Sequence, residues 1–97
     1  MAELLDAASI RTALEPLDGW EGGPEGIVRT VRLPSFPAAI AVVDRVAEVA
    51  EEMDHHPDID IRWRTLTFRN VTYSAGGVTA RDIALAQRID RIIADAS

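Results

Sequence analysis

A helical pattern opens at Ser35, runs to about Met53, and is stopped by Asp54-His55-His56-Pro57. This long segment has stretches of alternating apolar and polar residues on both sides, and few architectures accommodate that order. Ser35 suits an N-cap, and Pro37 is tolerated in a first helical turn. Phe36, Ile40, Val43, Ala47 and Ala50 form one apolar stripe. Ala38, Val42, Val49 and Met53 form a second, offset stripe. One stripe covers a sheet; two predict that the helix also packs on a partner subunit. The competing explanation is that alanine is simply a good helix former.

Upstream, Asp6 can cap a first helix in which Ile10, Ala13, Leu14 and Leu17 recur at helical spacing. Pro16 and Asp18-Gly19 end it. Trp20-Glu21 starts one strand, and residues 27–33 alternate as its hairpin partner after a turn-rich Gly-Pro-Glu-Gly segment. Downstream, Ile59, Ile61 and Trp63 alternate with Asp60, Arg62 and Arg64, and Leu66 and Phe68 alternate with Thr65, Thr67 and Arg69. These are two strands with a tight connection near Arg64-Thr65, or one long bent strand. Ser74-Ala75-Gly76-Gly77 reads as a loop. Thr79 and Asp82 resemble a capping box, and Ile83, Ala86, Ile89 and Ile93 mark a last helix. The predicted order is α-β-β-α-β-β-α. Hairpins separated by helices imply an α+β fold, a four-stranded antiparallel sheet with helices on one face. Residues 1–97 are expected to form a single domain.

The net charge of −6 argues against direct binding of nucleic acid, which needs a basic surface, and against anionic membranes. All ten basic residues are arginine, which we read as compositional bias. With no cysteine, disulfides and thiolate metal sites are excluded, and a reducing cytoplasm is the default compartment. The first residues lack a basic then apolar signal-peptide pattern, and no apolar run is long enough to span a bilayer. Asn70-Val71-Thr72 matches a glycosylation acceptor, a match attributed to chance without a secretory signal.

His55 and His56 are the only side chains whose ordinary pKa lies near neutrality. Pro57 ends the helix and stiffens the pair, because it fixes its own φ and pushes His56 out of helical geometry. Three readings compete. A solvated loop is the commonest fate of such a dipeptide. A metal site could draw on Asp54, Asp58 and Asp60 beside the histidines, but neither a His-Glu-x-x-His pattern nor a third distant histidine exists. General acid–base chemistry on a small organic substrate suits imidazole, whose reference pKa is ~6.5.

Glu51, His55-His56-Pro57, Trp63 and Asp82 together resemble the signature of the pterin-4a-carbinolamine dehydratase family. Gly19-Trp20, Arg45-Val46-Ala47, Ser74-Ala75-Gly76-Gly77, Arg81-Asp82 and Leu85-Ala86 extend the resemblance over most of the chain. It implies a four-stranded antiparallel sheet and subunits joined edge to edge as a homodimer, with some members pairing further into homotetramers through the long helix. It implies dehydration of 4a-hydroxytetrahydropterin to quinonoid dihydropterin, which recycles pterin for aromatic amino acid hydroxylases. No metal, redox cofactor or covalent intermediate is needed. By resemblance, His55 and His56 are the catalytic pair, and Asp54, Thr72, Tyr73 and Ser74 contact the pterin.

One position departs from the family pattern. The usual third histidine falls at Tyr73, in Val71-Thr72-Tyr73, and Asn70 stands where the strand is usually apolar. A phenol with a reference pKa of ~10 can donate a hydrogen bond but is a poor base at neutral pH. Tyr73 therefore either orients substrate, narrows the pocket, or lies on the surface. Two functions follow: a working dehydratase, or a dehydratase-like scaffold that binds another protein. Trp20 and Trp63 are expected in the core, Asp82 as a helix cap, and the strand arginines on a solvated sheet face or a subunit edge.

Overall fold

The structure is a computed structural model and describes residues 3–96; the ends of the 1–97 span lie outside the described residues. Asp6 opens α1 (Ala7–Leu14) by accepting the Ser9 N–H. β1 (Trp20–Gly23) and β2 (Gly26–Arg32) form the first hairpin. Ser35 caps α2 (Phe36–Met53) by accepting the Ala38 N–H, with Pro37 in the first turn. β3 (Asp58–Arg62) and β4 (Thr65–Asn70) form the second hairpin. A 3₁₀ turn (Tyr73–Ala75) leads into α3 (Ala80–Ala96). The sheet order is β1-β2-β4-β3, antiparallel throughout, so β1 and β3 are the edges.

Alternation decides the layering. Along β4, Leu66, Phe68 and Asn70 are fully buried while Thr65, Thr67 and Arg69 are half-exposed. The buried face meets Ile10 of α1, Ala39, Val42 and Val46 of α2, and Leu85, Ala86 and Ile89 of α3 in one core. All three helices therefore cover one side of the sheet. Full burial of a side chain such as Phe68 stabilises the fold by about 1.5–3 kcal/mol.

Four expectations need correction. The buried line on α2 is Ala39, Val42, Val46 and Ala50, which runs between the two stripes drawn from sequence. Phe36 and Ala47 are exposed. Counting alanines as apolar on every face hid the true phase. The tight connection is Trp63-Arg64, since Arg62 pairs with Thr65. Trp63 takes the turn position with positive φ (56°) and is 68% exposed, so it is not a core residue; the Arg64 guanidinium stacks over its ring at 4.6 Å. Arg29 does not lie on the solvated face. Opposite Phe68 in the register, it points to the helix side, where Asp90 of α3 accepts from it at 2.6 Å and from Trp20 Nε1 at 2.6 Å. Trp20 itself is a core residue, as expected.

Candidate active site

The site begins with the way α2 ends. Asp54 adopts the left-handed conformation (φ 50°, ψ 45°) that usually calls for glycine. The Asp54 N–H then reaches the Glu51 carbonyl (3.2 Å) and the His55 N–H reaches the Ala50 carbonyl (3.0 Å), the paired bonds of a Schellman motif. Arg81, from the first turn of α3, donates to the Met53 and Asp54 carbonyls at 3.1 and 2.7 Å. A cation at a helix C-terminus also complements the macrodipole. This reversal turns His55 inward, leaving it 7% exposed, while His56 stays outside. Pro57 carries the chain straight into β3.

The opposite wall is the segment after β4. Thr72 and Gly77 exchange backbone hydrogen bonds (3.0 and 3.3 Å) and pinch Tyr73 and Ser74 into a short loop. Gly77 cannot be replaced there, because a Cβ would sit 2.6 Å from the Pro24 carbonyl oxygen. Between the walls lies an open hollow of about 390 Å³, lined by Asp54, His55, His56, Thr72, Tyr73 and Ser74, with Val71 and Arg81. All six residues singled out from sequence thus border one space. Its size suits a small bicyclic ligand.

Each imidazole has a carboxylate behind it. His55 Nε2 is 2.6 Å from Asp82 Oδ1 in a buried contact, and His56 Nε2 is 2.5 Å from Glu51 Oε2 in an exposed one. Asp82 is fully buried and its other oxygen accepts the Thr72 hydroxyl (2.8 Å) and the Thr79 N–H (2.9 Å). A carboxylate only accepts, so His55 Nε2 donates. The directions then propagate. Thr72 spends its proton on Asp82, so it accepts from the Thr79 hydroxyl at 2.8 Å, and Thr79 accepts the Arg81 N–H at 3.2 Å. His55 is held in one tautomer, and Nδ1, with no protein partner among the described residues, is the nitrogen left for the hollow.

Sequence reasoning found Asp82 as a cap, and it is one. It missed that the second carboxylate oxygen reaches His55, a contact 27 residues away in sequence. Glu51 was visible only as part of a signature. Arg81 too was visible only as part of the resemblance and carried no site role; a cation beside a capping residue was the available signal. Tyr73 is 67% exposed, yet its hydroxyl donates to Asp58 Oδ2 at 2.5 Å, so it spans the rim and does not fill the hollow. Asn70 is fully buried and donates to the Asp82 main-chain carbonyl at 3.1 Å, so it is not an accessible glycosylation acceptor. Among the described residues, no group of three or more histidine, cysteine or acidic side chains is arranged to hold a metal ion, and no helix is long and apolar enough to cross a membrane.

Comparison with known proteins supplies the family. The family model for pterin 4 alpha carbinolamine dehydratase matches residues 3–92. A Nocardia farcinica protein provisionally named pterin-4-alpha-carbinolamine dehydratase is 60% identical over 90 residues, covering 93% of this chain and 95% of its own. A Mycolicibacterium smegmatis protein with the same provisional name is 50% identical over 92 residues, covering 95% and 98%. The crystal structure of a transcriptional coactivator/pterin dehydratase from Brucella melitensis superposes with a TM-score of 0.86 at 32% identity, over 91% of this chain and 96% of that one. A pterin dehydratase-like protein identified as a RuBisCO assembly factor in the alpha-carboxysome shares the fold, with a TM-score of 0.62 at 22% identity over 75% and 84%. With a carboxylate-backed pair of imidazoles on one hollow and relatives matched along nearly their whole length, this chain belongs to the pterin 4 alpha carbinolamine dehydratase family.

Proposed function

We propose that the protein dehydrates 4a-hydroxytetrahydropterin to quinonoid dihydropterin and water, with His55 and His56 as the proton-transfer groups. The observation that carries this reading is the convergence of both imidazoles on one hollow, each backed by a carboxylate. In the reaction the C4a–O bond breaks and its electron pair leaves with oxygen, which takes a proton and departs as water. The lone pair of the adjacent ring nitrogen forms the new C=N bond, and that nitrogen loses its proton to the base. One proton is given and one received, so the proton count of the histidine pair is unchanged, but the proton has moved from the acid to the base and returns through solvent before the next turnover. A positioned acid or base contributes ~10² to 10⁴ in rate, and neither proton transfer calls for a metal or redox cofactor. Asp54, Thr72, Tyr73 and Ser74 contact the ring system, and Arg81 joins them at the wall. The expected setting is the cytoplasm, recycling pterin for hydroxylases, as a homodimer or homotetramer.

Tyr73 supports a second reading. With a phenol where the family's third histidine falls, the site is catalytically impaired and the chain serves as a binding or assembly scaffold. Stopped-flow dehydration of freshly made 4a-hydroxytetrahydropterin separates the two. The dehydratase reading expects a rate well above buffer that His56→Ala lowers by roughly 10²-fold or more. A wild-type rate equal to buffer, restored by Tyr73→His, would replace it with the impaired scaffold.

A further inference from the structure

On the rim of the hollow, the lining residue Tyr73 is tethered to Asp58, which lies outside the lining, in a contact that the proton transfers above do not use. Asp58, the first residue of β3, lies two positions beyond His56 and accepts the Tyr73 hydroxyl proton at Oδ2. Tyr73 stands on the opposite wall, in the 3₁₀ turn, with its side chain outside the core. The bridge therefore ties the histidine loop to the facing wall. A phenol has one proton, and here it is committed to a carboxylate, so every other hydrogen bond of this oxygen, the one from Arg69 among them, is one it accepts. A histidine at this position could donate, accept or shuttle a proton; this tyrosine can only accept.

The geometry points to Asp58 as a positioning residue, which holds Tyr73 across the mouth as an aromatic wall and as a hydrogen-bond acceptor for an N–H of the bound pterin ring. The inference rests on the dehydratase reading and adds to it the face of the substrate that this wall selects, one that bears donors. The Asp58 hydrogen bond, helped by desolvation and by the carboxylate charge, holds the Tyr73 hydroxyl above its ordinary pKa. Arg69, the register partner of Asp58 on β4, acts in the opposite direction. The sign follows from linkage: a raised folded-state value means the contact contributes stability below the unfolded value of ~10 and loses it as pH rises through the folded value. The tether is therefore intact at neutral pH.

Tyr73 is the single tyrosine of the chain, so phenolate absorbance reads it alone. Titrated without substrate, the wild type should show a midpoint above the ordinary tyrosine value, and Asp58→Asn should bring it down. In the dehydration assay, Asp58→Ala and Tyr73→Phe should each raise KM roughly tenfold, with kcat within about threefold, as loss of one charge-assisted hydrogen bond predicts. The double variant should be no worse than Tyr73→Phe alone, because Asp58 acts through Tyr73. Additive losses, a loss confined to kcat, or a tyrosine midpoint that ignores Asp58 would overturn the role given to Asp58. A wild type without turnover would instead overturn the dehydratase reading, a distinct failure because the titration is read without substrate.

Discussion

At the scale of single residues, the site is built on Asp82 and Asn70, and they behave oppositely. The Asp82 carboxylate satisfies three donors at once, so its charge and its geometry are both in use. Asp82→Asn keeps the shape but has one acceptor oxygen. If that oxygen stays with Thr72 and Thr79, the amide N–H faces His55, whose proton must move to Nδ1 and occupy the nitrogen left for the hollow. The expected outcome is a kcat loss of roughly 10²-fold with a smaller KM change, and a switch of the His55 tautomer visible in nitrogen NMR. An unchanged tautomer would show that Asp82 does not set the ring. Asn70 is the other case. Its Nδ2 holds the Asp82 carbonyl, but its Oδ1 is buried with no partner. An orphaned buried acceptor costs about 1–3 kcal/mol, more than the ~1 kcal/mol its neighbouring bond returns. Asn70→Leu should therefore stabilise the protein by about 1 kcal/mol, a rise of about 4–8 °C in Tm for a chain this size. A fall in Tm would mean that the orphan oxygen has a partner in solution.

At the scale of elements, most of the architecture was legible because periodicity and capping are local. Ser35, Asp6 and Thr79-Asp82 announced three helix starts, and the alternation around Ile27 and Phe68 announced the strands. What was not legible depends on contacts across the fold. Trp63 alternates in phase with Ile59 and Ile61, yet the hairpin turns at that residue and leaves it outside. Arg29 reads as a solvated strand arginine until Asp90 of α3 arrives beside it. In the site, the histidines and their walls were legible as motif and resemblance, whereas the Asp82–His55 contact needed the helix and loop to be docked. The αL end of α2 is a further such feature, since nothing in the sequence requires Asp54 to take a positive φ. Asp tolerates that conformation less well than glycine, so Asp54→Gly should stabilise the helix end by about 0.5–1 kcal/mol while removing a side chain from the hollow. Thermal unfolding and the dehydration assay should move in opposite directions. A drop in both would mean that the Asp54 carboxylate has a structural task beyond its backbone conformation.

At the scale of the whole molecule, the layer of helices leaves part of its own sheet uncovered. Ile61 sits opposite Leu66 in the register, so it faces the helix side, yet it is 42% exposed on the edge strand β3. The hairpin tip beyond it is fastened to the entrance of α2, where Arg64 carbonyl accepts the Leu33 N–H and the Arg64 guanidinium donates to the Pro34 carbonyl. Phe36, 47% exposed, begins that helix, and Ile40 and Val43, on the same sequence-drawn stripe as Phe36, are only half-buried. A free edge strand flanked by apolar side chains is a pairing surface unless charge or a bulge protects it. The outward Asp60 and Arg62 pair with each other, which reduces the charge available to keep a second strand away. Closed symmetric association through this edge would bury Ile61 at its centre. Ile61→Asp would then place a carboxylate in a desolvated contact, and the expected outcome is a monomer by light scattering at micromolar concentration, with helix and sheet content unchanged by circular dichroism. The wild type should remain associated under the same conditions. If the wild type runs as a monomer there, the exposed edge is not an assembly surface, and the apolar flank of α2 must be explained without a partner.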